Sequence, residues 1–202
     1  MLLIALTGGI ACGKSAVGRI LAQDGVPVCE ADVLAHKAME PGKPAYGRIV
    51  ERFGESVLTN DKRVDRKRLG QRVFERTDER RLLESIVHPE VRQAWKAWAA
   101  AQASSEAAVV IVPLLFECVA KELWNATICV TAPLPRRLQW LAERGLTPDD
   151  AAKRMTAQMS LRTKMERSDR VIVNSGGWTA LREQTRRAWT NLINNLNKGR
   201  ST

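Results

Sequence analysis

The chain has 202 residues, 45% hydrophobic and 27% charged, with a formal net charge of +10. That is enough apolar material for one ordered domain with insertions, and no run approaches the roughly 18 apolar residues that span a bilayer. The charge suits a phosphate-rich small substrate. A nucleic-acid-binding switch is the alternative it raises, but there is no long Lys/Arg block, and one Tyr and three Phe offer little for base stacking.

Residues 2–6, Leu-Leu-Ile-Ala-Leu, are the all-apolar run expected of a strand buried on both faces of a parallel sheet. They pass into Gly8-x-x-x-x-Gly13-Lys14-Ser15, the spacing of a phosphate-binding loop. Glycines let successive N–H groups turn inward on one anion, Lys14 adds a positive charge, and the Ser15 hydroxyl is placed to ligate Mg2+. Val17, Ile20 and Leu21 lie at helical spacing, so the loop is expected to open a helix whose N-terminus also favours anions.

A second strand is expected over Val26–Cys29. Asp32 follows it, and in open α/β sheets ligands bind outside the carboxyl ends of strands. Its carboxylate either takes a proton from an attacking hydroxyl and helps to hold Mg2+, or caps the next helix. From Asp32 to about Ser105 every pattern is helical, with breaks at Pro41-Gly42-Lys43-Pro44 and Asn60-Asp61. Leu82, Leu83, Ile86 and Val87 form one helical face, and Val91, Ala94, Trp95 and Trp98 form the next. Pro89 suits the first position of that second helix, which leaves His88 as its cap or as a ligand-facing residue. The insertion over 32–105 exceeds what a crossover needs and suits a substrate-binding subdomain.

Further strands are expected at Ala108–Leu115, Ala126–Val130 and Arg170–Val173. The fold class is therefore α/β, a three-layer α/β/α arrangement on a parallel five-stranded sheet with core segments 1–31, 106–132 and 170–202. Residues 133–170 carry nine Lys/Arg against five acids, and Thr147-Pro148-Asp149-Asp150 reads as a capped helix start. This segment is either a solvated face or a basic lid over 133–169, and a phosphotransferase needs such a lid to exclude water. Trp178 to Leu196 reads as a closing amphipathic helix. Cysteines 12, 29, 118 and 129 form no CxxC pair and read as structural.

Six strings in order resemble the dephospho-coenzyme A kinase family: Leu6-Thr7-Gly8-Gly9-Ile10-x-x-Gly13-Lys14-Ser15, Ala31-Asp32-x-x-x-His36, Ile86-Val87-His88-Pro89-x-Val91, Pro113-Leu114-Leu115-Phe116-Glu117, Arg154-x-x-x-Gln158 and Ser168-Asp169-Arg170-Val171-Ile172-x-Asn174-x-Gly176. The resemblance implies ATP-dependent phosphorylation of the ribose 3′-hydroxyl of dephospho-CoA, with Mg2+. Composition and the lack of a spanning run or leader-like start give the expectation of a cytoplasmic protein that binds neither nucleic acid nor membrane, with a monomer favoured and the oligomeric state open. The resemblance also implies that Asp32, Lys14 and Arg144 carry catalysis. ATP would be bound by Gly8, Gly9, Ala11, Cys12, Gly13, Lys14, Ser15, Ala16, Arg144 and Asn174, with Ser15 on the metal. Asp32, His36, His88, Leu115 and Glu117 would line the acceptor side. By residue mechanics alone, Pro113–Glu117 equally suits a strand end with a packing loop, and Asn174 an ordinary turn. Three positions depart from the family pattern. Glu30 stands where Asp is usual, Ile111 where some members carry an acid, and Trp140 where an Arg is common, so that Arg136 or Arg137 would compensate.

Overall fold

The first apolar run becomes β1 (Leu2–Gly8), the central strand of a five-stranded sheet. The computed structural model describes residues 1–118 and 123–199, apart from the side chains of Phe74 and Glu75. Its strands are β1, β2 (Val28–Glu30), β3 (Ala107–Ile111), β4 (Ala126–Thr131) and β5 (Arg170–Val173), in the spatial order β2-β3-β1-β4-β5. The chain divides into two compact units, one of residues 1–29 with the chain from 102 onward, the other of residues 30–101.

In the first unit β1 pairs in parallel with β3 and β4, and β4 with β5. Register aligns Ile4 with Val109 and Ala126, so alternate side chains form one continuous apolar layer. Leu2, Ile4 and Leu6 cluster there with Val17, Ile20 and Leu21 of α1 (Lys14–Gln23) and with Leu181, Leu192 and Ile193 of α10 (Trp178–Lys198). Each such side chain contributes about 1.5–3 kcal/mol by leaving water. The intervening positions Ala5, Thr7, Ala108, Thr127 and Cys129 are small and equally buried.

The third strand ends at Ile111, short of the expected Leu115. Pro113 has no N–H to give to a ladder, and Leu115 instead opens the four-residue helix α6 (Leu115–Cys118). Pro27 likewise delays the second strand from Val26 to Val28, although its carbonyl accepts from Val109 N–H at 2.9 Å. Between β4 and β5 run α7 (Leu134–Glu143), α8 (Pro148–Thr156) and α9 (Leu161–Glu166). Thr147 caps α8 by accepting from Asp150 N–H at 3.2 Å, as its sequence indicates. Asp169 Oδ2 accepts from the N–H and hydroxyl of Thr127 at 2.7 and 2.8 Å, tying the start of β5 to β4.

The second unit contains α2 (Ala31–Ala38), α3 (Pro44–Phe53), a 3-10 turn at Glu55–Val57, α4 (Arg66–Glu75) and α5 (Thr77–Ala101). Its own core gathers Ala45, Ile49, Phe53, Leu58, Leu69, Ile86 and Val87. The turn expected at Asn60-Asp61 is closed by an antiparallel bridge between Leu58 and Val64. Pro89 does not begin a second helix: it lies inside the 25-residue α5. Proline removes the bond to the Ser85 carbonyl, yet the helix runs on through it, with Ser85 and Pro89 exposed and Ile86 and Val87 in the core. His88 is therefore a mid-helix residue, and the cap reading is overturned.

Candidate active site

The loop after β1 turns on two glycines. Gly8 has φ 144°, and a Cβ there would lie 2.1 Å from the Val130 carbonyl oxygen. Gly13 has φ 94°, and a Cβ there would lie 2.3 Å from Asn174 Nδ2. Both contacts are far inside van der Waals distance, and the Gly8 contact is with backbone, which cannot swing away. Gly8→Ala is expected to cost about 3 kcal/mol or more, read as a lowered urea midpoint without nucleotide.

Gly13 starts α1 without a side-chain cap, and no acid lies in the first turn; its first residue is the cation Lys14. A helix start is electropositive, so a lysine there without a cap leaves an unbalanced field that an anion relieves. The Lys14 ammonium bends back to donate to the carbonyls of Gly8 and Gly9 at 3.1 and 2.9 Å. Ser15 is exposed one position later.

Side chains from three distant segments hold this loop. Asn174 Nδ2 donates to the Cys12 carbonyl at 3.1 Å, Arg137 Nε donates to the Ile10 carbonyl at 3.1 Å, and Gln158 Oε1 accepts from Ile10 N–H at 3.2 Å. Asn174 and Arg137 are both 7% exposed. The loop tip itself packs, through Ile10 and Ala11, against Trp140, Leu141, Ala151 and Met155 of α7 and α8. Of the adjacent arginines of α7, Arg137 contacts the loop, whereas Arg136 donates to the Gly176 carbonyl at 2.9 Å. Arg144 is exposed just past α7. Ile111 lies in the layer against α1, where a Cβ on Gly18 would meet its Cδ1 at 2.6 Å, so that position serves packing.

Burial raises the Cys12 thiol pKa despite Arg137 and Lys14 nearby, and pushes Cys129 to about 11. Both thiols stay protonated near neutrality and behave as small core residues. Leu115, of the first unit, has a fully buried side chain. Glu117 Oε1 lies 2.8 Å from Lys164 Nζ and accepts from Met159 N–H at 2.9 Å.

Asp32, His36 and His88 belong to the second unit. Glu30 occupies the N-cap of α2, with extended backbone and no side-chain cap bond. Asp32 instead sits inside the first turn with its carboxylate exposed, so it is not the cap. His36, one turn later, lies against Arg66, whose Nη1 is 2.8 Å from Nδ1. Loss of solvent around the ring, then the Arg66 charge, lowers its pKa below the ordinary histidine value, with Asp32 opposing. At pH 7 the ring is neutral. His36, Glu40, Arg63, Val64 and Arg66 line a cavity of about 230 Å³. On the face of α5, Ser85, His88, Arg92 and Lys96 line a groove of about 830 Å³.

Sequence reasoning found the loop and its lysine, and the family resemblance alone pointed to Asn174; no role was assigned to Arg66 or Lys164. Arg66 carried no signal outside a run of basic residues. Gln158 stood in one of the family strings, without a contact assigned to it.

A family profile described as dephospho-CoA kinase matches residues 2–180. The chain is similar to a dephospho-CoA kinase of Bacillus licheniformis, 43% identical over 178 residues that cover 87% of this chain and 89% of that one. Among solved structures it resembles a protein of Thermus thermophilus, with TM-score 0.82, 29% identity, and coverage of 94% of this chain and 96% of that one. It also resembles the dephospho-CoA kinase of Campylobacter jejuni, with TM-score 0.70, 26% identity, and coverage of 96% and 98%.

Proposed function

The chain belongs to the dephospho-CoA kinase family, and from that membership we infer that it transfers the γ-phosphoryl group of ATP to the ribose 3′-hydroxyl of dephospho-CoA. The observation that carries this reading is a family match that runs through both units, from the phosphate loop to the start of α10.

Lys14 and the amides at the start of α1 hold the β- and γ-phosphates. Exchanging the neutral Gly8 and Gly9 carbonyls for phosphate oxygens gives Lys14 shorter, stronger, charge-assisted bonds. Asn174, Arg137 and Gln158 fix the loop beforehand, so little reorganisation is needed when charge develops. Asp32 orients the acceptor hydroxyl and takes its proton. His36 and His88 contact the acceptor, as does the backbone at Leu115. Arg144 and the basic segment over 133–169 close as a lid that balances charge on the transferring group.

Mg2+ fits this chain. It binds one or two protein oxygens and completes its shell with water and substrate phosphates, and Ser15 offers an exposed hydroxyl at the loop. Among the described residues no group of three or more His, Cys, Asp or Glu forms a separate cage. When bound there, the ion would supply positive charge against the phosphate oxygens.

An ADP-release assay with a panel of hydroxyl acceptors tests the substrate. Release should rise well above background with dephospho-CoA and stay at background with simple sugars, nucleosides or nucleoside monophosphates. Equal turnover on another acceptor would replace this reading. Steeply salt-dependent binding to DNA or RNA, with no acceptor-dependent release, would favour the nucleic-acid alternative.

A further inference from the structure

Lys164 of α9 is the largest side chain among the described residues with no exposed surface. Moving an ammonium out of water costs several kcal/mol even after relaxation, and a single carboxylate rarely returns more than that cost. Lys164 is thus a poor device for stability alone, and its contacts show what it connects. Its Nζ donates to the Pro113 carbonyl at 2.8 Å and pairs with Glu117 Oε1 at 2.8 Å. The same Pro113 carbonyl accepts from the Thr7 hydroxyl at 3.3 Å, on β1 next to Gly8. The same Glu117 oxygen accepts from Met159 N–H at 2.9 Å, and the neighbouring Gln158 accepts from Ile10 N–H at 3.2 Å.

Followed in order, Thr7, Pro113, Lys164, Glu117, Met159, Gln158 and Ile10 close a ring that leaves the phosphate loop on one side and rejoins it on the other. We infer that the pair formed by the buried Lys164 with the solvent-reaching Glu117 is a positioning device for nucleotide binding: it sets the distance between the two ends of the ring and so holds the loop open to a triphosphate. Glu117 then acts through the loop and not as an acceptor ligand. The inference rests on the ATP-dependent reading above and deepens it.

Removing Glu117 alone would strand the buried Lys164 ammonium, so the test removes both. Lys164→Met with Glu117→Gln leaves no buried ion and keeps an oxygen for Met159 N–H. Gln158→Leu, which buries no charge, cuts the ring at the loop itself. ATP affinity without acceptor, KM for dephospho-CoA and the thermal midpoint without nucleotide are measured for both variants and wild type. Both variants should fold with midpoints near wild type and bind ATP on the order of tenfold more weakly, while KM for dephospho-CoA changes less than about twofold. Unchanged ATP affinity in Gln158→Leu, or equal loss toward both substrates, overturns the positioning role. So does weakening confined to dephospho-CoA in the double variant, which would make Glu117 an acceptor ligand. If wild type itself binds no ATP, the functional reading fails first, and that result is distinct from the others.

Discussion

Asp32→Asn is expected to lower kcat by on the order of 10²-fold or more while leaving ATP affinity near wild type. The substitution keeps size and hydrogen-bonding capacity and removes only the ability to accept a proton as a base. Its structural cost is small, because Asp32 is exposed, is not the cap of α2, and gives at most about 1 kcal/mol to the helix start. Steady-state turnover with both substrates saturating, together with a titration of ATP, separates the two effects. Wild-type turnover in this variant would remove Asp32 from the role of base.

Lys14→Ala should impair both steps. Without the ammonium, the loop amides alone face the β- and γ-phosphates, so ATP binds more weakly. The developing charge also loses a preorganised donor, a change that typically lowers kcat by about 10²- to 10³-fold. Stability should move in a different way. Alanine is the best helix former, and a cation is lost from the electropositive start of α1, which offsets the lost bonds to Gly8 and Gly9. Unfolding in urea without nucleotide should therefore change by no more than about 1 kcal/mol. A variant that binds ATP and turns over normally would mean that the loop holds no triphosphate. A variant that fails only because it unfolds would mean that Lys14 is structural.

What could be read from the residues follows from how local each requirement is. The loop was legible because its backbone demands particular residues: Gly8 and Gly13 have positive φ and no room for a Cβ. Strand order was not legible, but strand existence was, since residues 2–6 can be buried on two faces only in such a sheet. Pro89 misled, because a proline suits a first helical position, whereas α5 runs through this one with Ile86 and Val87 packed into the core beside it. Pro113 did the reverse: the apolar run through Leu115 hid a strand end that the missing N–H imposes. Of the two readings of Asp32, the structure removes the cap, because Glu30 occupies that position.

Lys164 was hidden for a different reason. In a segment with nine Lys/Arg, one lysine looks like every other solvated cation, and nothing local says that it points inward. Its partners lie about 50 residues away, at Pro113 and Glu117. Arg137 was half visible, since one of two adjacent arginines was expected to stand in for the missing basic residue at Trp140. Nothing local to residues 136 and 137 tells them apart; in the fold Arg137 donates to the Ile10 carbonyl and Arg136 to that of Gly176.

The most direct measurement is the chemical identity of the product formed from ATP and dephospho-CoA. Mass spectrometry and phosphorus NMR should show one added phosphoryl group, as a monoester on the ribose 3′-oxygen, in one-to-one ratio with ADP. ADP accompanied only by inorganic phosphate, or a phosphoryl group on any other oxygen, would contradict the account.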